Sequence, residues 1–340
     1  TKTKKIPLSK EFYMENKNLL AFSIGSVQSF ISQARKVQDF YLGSFMLSYF
    51  TSVAIKELST RFSKDSIIYP SLKDQPLLLK ESEVNEEKFF ISTLPNKVIA
   101  VIPGQKELVT SVVESIKSRI KDVLCEAFDV VFKYFKIELN PLQRKTLYHQ
   151  ILDFPEIYWV AVPYNENYHN TYSNLESFLG AIKNLRQITT IEESGRKCSM
   201  CGEKNVLFFS SKDNKKKFQK FNSTVDLSDV SKKFLAQDEG LCSLCFLKRT
   251  FYLYLQKSVS EAFENLTFPS VSEVASADYK KKVLNTKSFK SYQEKFFQKF
   301  GSSVFVKSLK KVCNYKTLDG EFLYEENVTA KALKSRFGVK

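Results

Sequence analysis

Two Cys-x-x-Cys pairs constrain this chain more than any other feature of its sequence. Cys198-Ser-Met-Cys201 and Cys242-Ser-Leu-Cys245 stand 40 residues apart. Thiolates at i and i+3 in a tight turn can wrap one ion, and two such knuckles complete the tetrahedral sulfur site that Zn²⁺ prefers. The fold must therefore bring the chain back to one point after a long excursion, which carries Lys215, Lys216, Lys217 and Lys220. Four protein ligands close the coordination sphere, so such a site is structural and not catalytic. An iron–sulfur cluster and a metal-free cluster are the alternatives; the lack of a flanking Cys-Pro pattern speaks against the first. In a reducing compartment this spacing means metal and not disulfides. Cys125 and Cys313 are left over and read as buried thiols.

Composition narrows the class. With 43% apolar and 14% aromatic residues in 340, the chain can build sizeable cores, and disorder is excluded. Its 52 Lys and Arg against 37 Asp and Glu leave a formal charge of +15, which favours a polyanionic partner such as nucleic acid; a lysine-rich genomic bias is the plain alternative. No stretch approaches the ~18 uninterrupted apolar residues of a membrane span, and the basic start Thr1 to Lys10 has no hydrophobic signal region after it. A cytoplasmic protein with no membrane partner is expected. Most of the 30 Phe and 16 Tyr fall at core spacing.

Hydrophobic rhythm lays out the rest. A basic extension, 1–17, precedes an apolar run at 18–25 closed by Gly25, which predicts a buried first strand. Helical spacing follows from Gln28 to about Phe62, with Gly43 as the expected break between two helices. Short apolar runs at Ile67–Tyr69 and Lys97–Ile102 predict strands two and three, a helix of over twenty residues starts near Leu108, and Ile157–Val162 predicts strand four. Strand, helices, strand, strand, helix, strand is the split βαββαβ order of ferredoxin-like domains, so the fold class expected for 18–195 is α+β, ferredoxin-like. A cysteine-bearing module occupies 196–250, and a helical, Lys-rich part occupies 251–340. There the lysines from Lys280 to Lys311 are expected to face RNA or a neighbouring subunit, or simply water.

Ile24-Gly25-Ser26-Val27-Gln28 passes directly from the first strand into a helix. Glycine permits a sharp turn, and amides at a helix N-terminus with a hydroxyl beside them can receive a phosphate; the same sequence is also an ordinary strand-to-helix cap.

The run from Ser26 (Ser-Val-Gln-Ser-Phe-Ile-Ser-Gln-Ala-Arg-Lys) through Gly43 to Phe50 closely resembles the first-palm signature of the large subunits of Cmr-type, type III-B CRISPR effector complexes. Leu94-Pro-Asn-Lys97, the paired knuckles, Phe268-Pro-Ser270 and Gly320-Glu-Phe-Leu-Tyr-Glu325 follow in the family's order. The resemblance implies a palm of the polymerase and nucleotide-cyclase type, which binds ATP in a cleft with a second palm. It further implies metal-dependent synthesis of an adenylate second messenger on capture of target RNA, with Mg²⁺ or Mn²⁺ as catalytic ions. Guide CRISPR RNA, target RNA and other type III-B effector subunits are the implied partners. Carried over, Gly25, Ser26, Val27 and Gln28 are nucleotide contacts, with Arg35 and Lys36 one to two turns along the helix; for these two a solvated face is the alternative.

Two features of the family are missing. No Gly-Gly-Asp-Asp hairpin occurs to hold a metal pair, and Asp319-Gly-Glu321 reads as a turn followed by a strand. The only histidines, His149 and His169, are not followed by Asp, and the 17 residues before the first strand leave no room for an HD nuclease domain. The chain is expected to stop before, or omit, the catalytic half, with Met14 a conceivable natural start. A non-enzymatic scaffold holding RNA and subunits with a structural zinc site is the main rival reading, and a free-standing zinc-ribbon nucleic-acid binder is a third.

Overall fold

The computed structural model describes residues 17–79, 90–164, 167–185, 195–210, 224–227, 234–261, 263, 266, 268–307, 309 and 312–338. The lysine run of the inter-knuckle loop, Lys310 and Lys311, and the basic extension up to residue 16 lie outside them. The chain divides into two compact units, residues 1–34 with 39–265, and residues 35–38 with 266–340.

In the first unit, β1 (Lys17–Ile24) is buried from Leu19 onward, as an apolar run at the centre of a sheet must be. It pairs antiparallel with β3 (Lys97–Pro103) on one side and β4 (Ile157–Pro163) on the other, and β2 (Ile67–Tyr69) pairs antiparallel with β3. The resulting order, β2-β3-β1-β4, is the one a split βαββαβ chain produces. Alternation then divides β1 between two faces. Leu19 and Ala21 join Ile99, Val160 and Val162 against Leu175 and Leu179 of helix α5 (Tyr168–Asn184). Leu20, Phe22 and Ile24 are buried on the other face.

Between β1 and β2 run α1 (Val27–Ser32) and α2 (Val37–Arg61). The break falls at 33–36 and not at Gly43, which sits inside α2. A Cβ on Gly43 would come within 3.1 Å of the Lys248 side chain, so this glycine makes room for a neighbour and does not end a helix. Helix α3 (Lys106–Phe135) buries one stripe, Val109, Val112, Val113, Ile116, Ile120, Val123, Leu124, Ala127, Phe128 and Val131, the positions its rhythm predicts. Helix α4 (Pro141–Ile151) starts with a capping box between Asn140 and Gln143.

Beyond α5 the chain forms three two-residue strands, β5 (Phe208–Phe209), β6 (Val225–Asp226) and β7 (Gly240–Leu241), in the order β6-β5-β7. Helix α6 (Ser243–Ser258) follows and is buried on every side from Ser243 to Leu255, packing on α3 and α4. A helix surrounded in this way would be expected to be apolar all round, yet it carries Lys248 and Arg249 with no exposed surface.

The second unit begins with α7 (Val271–Ala275), α8 (Ala277–Val283) and α9 (Lys287–Phe300). An antiparallel hairpin, β8 (Phe305–Lys307) and β9 (Lys316–Leu318), stands where helix was expected. Two short helices, α10 (Glu325–Val328) and α11 (Ala330–Phe337), complete it. Phe296, Val304, Leu318 and Phe322 form its core.

Candidate metal centre and strand-to-helix turn

The four knuckle cysteines converge. Their sulfurs all lie within 4.8 Å of one another, and Cys201 Sγ is 3.9 Å from Cys242 Sγ. A tetrahedral ion with bonds of about 2.3 Å requires sulfurs about 3.8 Å apart, so the quartet can hold a metal such as zinc. Local structure prepares it. The Met200 amide donates to Cys198 Sγ at 3.4 Å, and Cys242 is the N-cap of α6, taking the Cys245 amide at 3.5 Å. Among the described residues this is the one group of three or more metal-ligating side chains brought together.

The thiols compete for protons. Bonds from Cys201, then Cys242 and Cys245, pull Cys198 far below the usual thiol value. For Cys201 the bond with Cys198 pushes up, but those with Cys242 and Cys245 prevail and set it at about 6. Cys242 and Cys245 are pushed well above the usual value, first by their bonds with Cys198. A dication bound among the four sulfurs would release the protons that they still share.

Beneath the knuckles lies a polar network that the sequence did not reveal. Lys248, one turn after Cys245, donates to Phe30 O (2.7 Å) and Gln33 O (2.5 Å) at the end of α1, its ammonium 4.6 Å from the Phe30 ring centroid. Burial pulls its pKa down, while the charges of Cys245 and Asp39 push it up. Arg249 forms a two-pronged ion pair with Asp39 (2.7 and 2.8 Å) and binds Glu239 at 2.7 Å. Gln150 of α4 takes both the amide and the hydroxyl of Ser243 at 2.8 Å. The knuckles are therefore tied to α1, α2 and α4.

The turn after β1 has a geometry of its own. Asn96 closes the strand end, with Ile24 N donating to Asn96 O (2.8 Å) and Asn96 Nδ2 to Ile24 O (2.9 Å). Ser26 is left-handed (φ 58°), and its hydroxyl does not cap α1 but donates to Glu156 Oε1 at 2.7 Å, while Tyr158 donates to Glu156 Oε2. A Cβ on Gly25 would lie 2.5 Å from the Tyr158 ring. Glycine is thus required here by a neighbouring side chain, whatever else binds. Val27 and Gln28 open α1, whose first amides have no partner inside the helix. Arg35 and Lys36 do not lie along a helix, as expected, but in the link between α1 and α2, Arg35 exposed and Lys36 half-buried. Cys125 is exposed and Cys313 half-buried, not the buried thiols expected.

In the second unit, Asp319 accepts from the Glu321 amide and from Ser270, both at 3.1 Å, and Glu321 forms a two-pronged pair with Arg336. A 3₁₀ turn over Gly320–Leu323 follows Asp319 where a strand was expected. Lys280 is fully buried, donating to Glu273, Thr317 and Leu318 O, so it does not face RNA.

The family model described as "CRISPR-associated protein Cmr2, N-terminal" matches residues 19–129, from β1 through most of α3. Over these residues the chain is similar to the N-terminal part of Cmr2 proteins. A curated relative, "CRISPR system Cmr subunit Cmr2" of Pyrococcus furiosus, is 23% identical over 353 aligned positions, covering 89% of this chain and 37% of that protein. Two solved structures share the fold. "Type III-B Cmr-beta" in its apo state has a TM-score of 0.64 at 18% identity, covering 96% of this chain and 43% of that one. Its form "bound to cognate target RNA" has a TM-score of 0.60 at 18% identity, covering 96% and 44%. The chain therefore spans less than half the length of the relatives it matches. No helix among the described residues is long and apolar enough to cross a membrane.

Proposed function

We propose that this chain is the first-palm and zinc-bearing part of an RNA-guided type III-B large subunit. In that reading the β2-β3-β1-β4 sheet is a polymerase- or cyclase-type palm. Its turn Gly25, Ser26, Val27 and Gln28, together with Arg35 and Lys36 further along the chain, contributes one side of an ATP cleft whose second palm performs metal-dependent adenylyl transfer. Guide RNA, target RNA and the other effector subunits are its partners, and Zn²⁺ on Cys198, Cys201, Cys242 and Cys245 is structural. The observation that carries the reading is that β1, the turn and α2 fall inside the residues matched by the family model while β1 sits at the centre of a split βαβ sheet.

ATP binding and messenger synthesis by the assembled complex are the test, with Ser26→Ala and Arg35→Ala as probes. Gly25→Val is a poor probe, because Tyr158 leaves no room for its side chain. Weakened ATP binding in either variant, with assembly intact, supports the nucleotide turn; unchanged binding in both removes it.

One observation favours the scaffold reading. The Ser26 hydroxyl is already bound to the Glu156 carboxylate, an anion that a triphosphate would have to displace or approach with a cation between them. A complex that signals normally with both substitutions would leave this chain the work of holding RNA and subunits.

A further inference from the structure

We propose that a groove in the second unit, between α9 and the β8–β9 hairpin, is a base-stacking site for single-stranded RNA. The inference rests on the reading above only in taking RNA as the polyanion. The groove has a volume of about 370 Å³ and is walled by Lys290, Glu294 and Phe297 of α9 and by Phe305, Tyr315 and Lys316 of the hairpin. That volume lies in the ~300–1,000 Å³ range of small-ligand sites.

Two of its rings are left open to water. Phe297 is 56% and Tyr315 57% exposed, although an unexposed core of Phe296, Val304, Leu318 and Phe322 lies in the same unit. Phe305 stands edge-on to Phe297 (centroids 5.8 Å apart, planes at 84°), which fixes the Phe297 ring without covering it. Exposed rings held in place in a cleft are platforms for flat partners, and every nucleobase has a face to offer.

Charge selects among flat partners. Residues 266–340 carry 15 Lys and Arg against 7 Asp and Glu, so 8 of the chain's 15 excess positive charges fall in its last 75 residues. Lys290 lies seven residues, two helical turns, before Phe297 on the same side of α9, and Lys316 adjoins Tyr315. Lys316 pairs across the hairpin with exposed Lys307. A base on the rings thus brings its phosphates toward Lys290 and Lys316, which wall the groove. Glu294 repels phosphate from its side of the groove and can accept a base N–H. A duplex is a poor occupant, since its bases keep their faces stacked on one another.

The test uses the full 340-residue chain and a fluorescent oligouridine of about 12 nucleotides, in the range of single-strand site sizes. Phe297→Ala with Tyr315→Ala is expected to weaken binding about tenfold or more without changing its salt dependence, because stacking releases no counterions. Phe297→Leu with Tyr315→Leu keeps apolar volume and guards against a folding defect; it should weaken binding as well. Lys290→Gln with Lys316→Gln should flatten the dependence of log K on log salt by about 0.7 per lysine. Cross-linking of 4-thiouridine RNA should map to Phe297 or Tyr315. Unchanged affinity in both aromatic variants, or cross-links only outside the groove, overturns the site but leaves RNA as a partner. A DNA strand that competes as well as RNA overturns the assignment to RNA. Failure of the unaltered chain to bind RNA at low salt overturns both the site and the RNA-partner reading.

Discussion

Lys248 and Arg249 show how much a single residue can hold in this chain. Lys248 satisfies two backbone carbonyls that would otherwise end α1 unpaired inside the protein. Replacing it with Met keeps the volume but strands both, and each buried unpaired carbonyl costs about 1–3 kcal/mol. A urea midpoint lowered by a corresponding amount is expected. Arg249→Met leaves Asp39 and Glu239 without their buried counter-charge, a loss of about 3–5 kcal/mol that unfolding curves should register. The cysteines carry a separate prediction. Elemental analysis should find one zinc per chain, and Cys198→Ser with Cys242→Ser should bring it to near zero. The quartet was legible because i, i+3 spacing is local, and its two halves could be matched without knowing the path between them. The two cations were not legible. Phe246-Leu-Lys-Arg-Thr-Phe251 shows nothing to mark them as buried, and Asp39, Phe30 and Gln33 lie more than 200 residues away in sequence.

Elements with strong periodicity were read correctly, and those defined by a neighbour were not. β1, β3, β4 and α3 have long apolar runs or stripes. The break between α1 and α2 was expected in the wrong place because no glycine or proline marks 33–36, while Gly43, which looks like a break, accommodates Lys248. β8 and β9 are three residues each and flanked by lysines, too short for alternation to show. Gly320 is a similar case. Its Cβ would lie 2.2 Å from Ser276 Oγ and 2.5 Å from Ser272 O, and its amide binds Glu273 at 2.8 Å. The Gly-Glu-Phe-Leu-Tyr sequence thus seats the 3₁₀ turn against α7. Gly320→Ala should destabilise the second unit by about 1–3 kcal/mol, as overpacking does, and a thermal melt followed in parallel with one of Gly338→Ala, which has open space around it, would separate contact from backbone effects.

At the scale of the whole molecule, the carboxylates that could have suggested catalysis are engaged elsewhere. Asp319 serves a turn and Ser270, and Glu321 serves Arg336. Two-metal transfer needs carboxylates free to share ions. The 340-residue chain incubated alone with ATP and Mg²⁺ should therefore yield no nucleotide product by chromatography; an oligoadenylate would direct attention back to Asp319 and Glu321.

The burial of α6 also sets a schedule for the ribosome. Phe30 leaves the exit tunnel 218 residues before the lysine that will bind its carbonyl, an interval of about 10–40 s at ordinary translation speeds. Until α6 is made, the rings that will pack on it, Phe50 against Phe251 and Phe208 against Phe246, lack that cover. A nascent chain arrested before Ser243 should accordingly be held by chaperones, and one arrested well past Leu255 should be released from them.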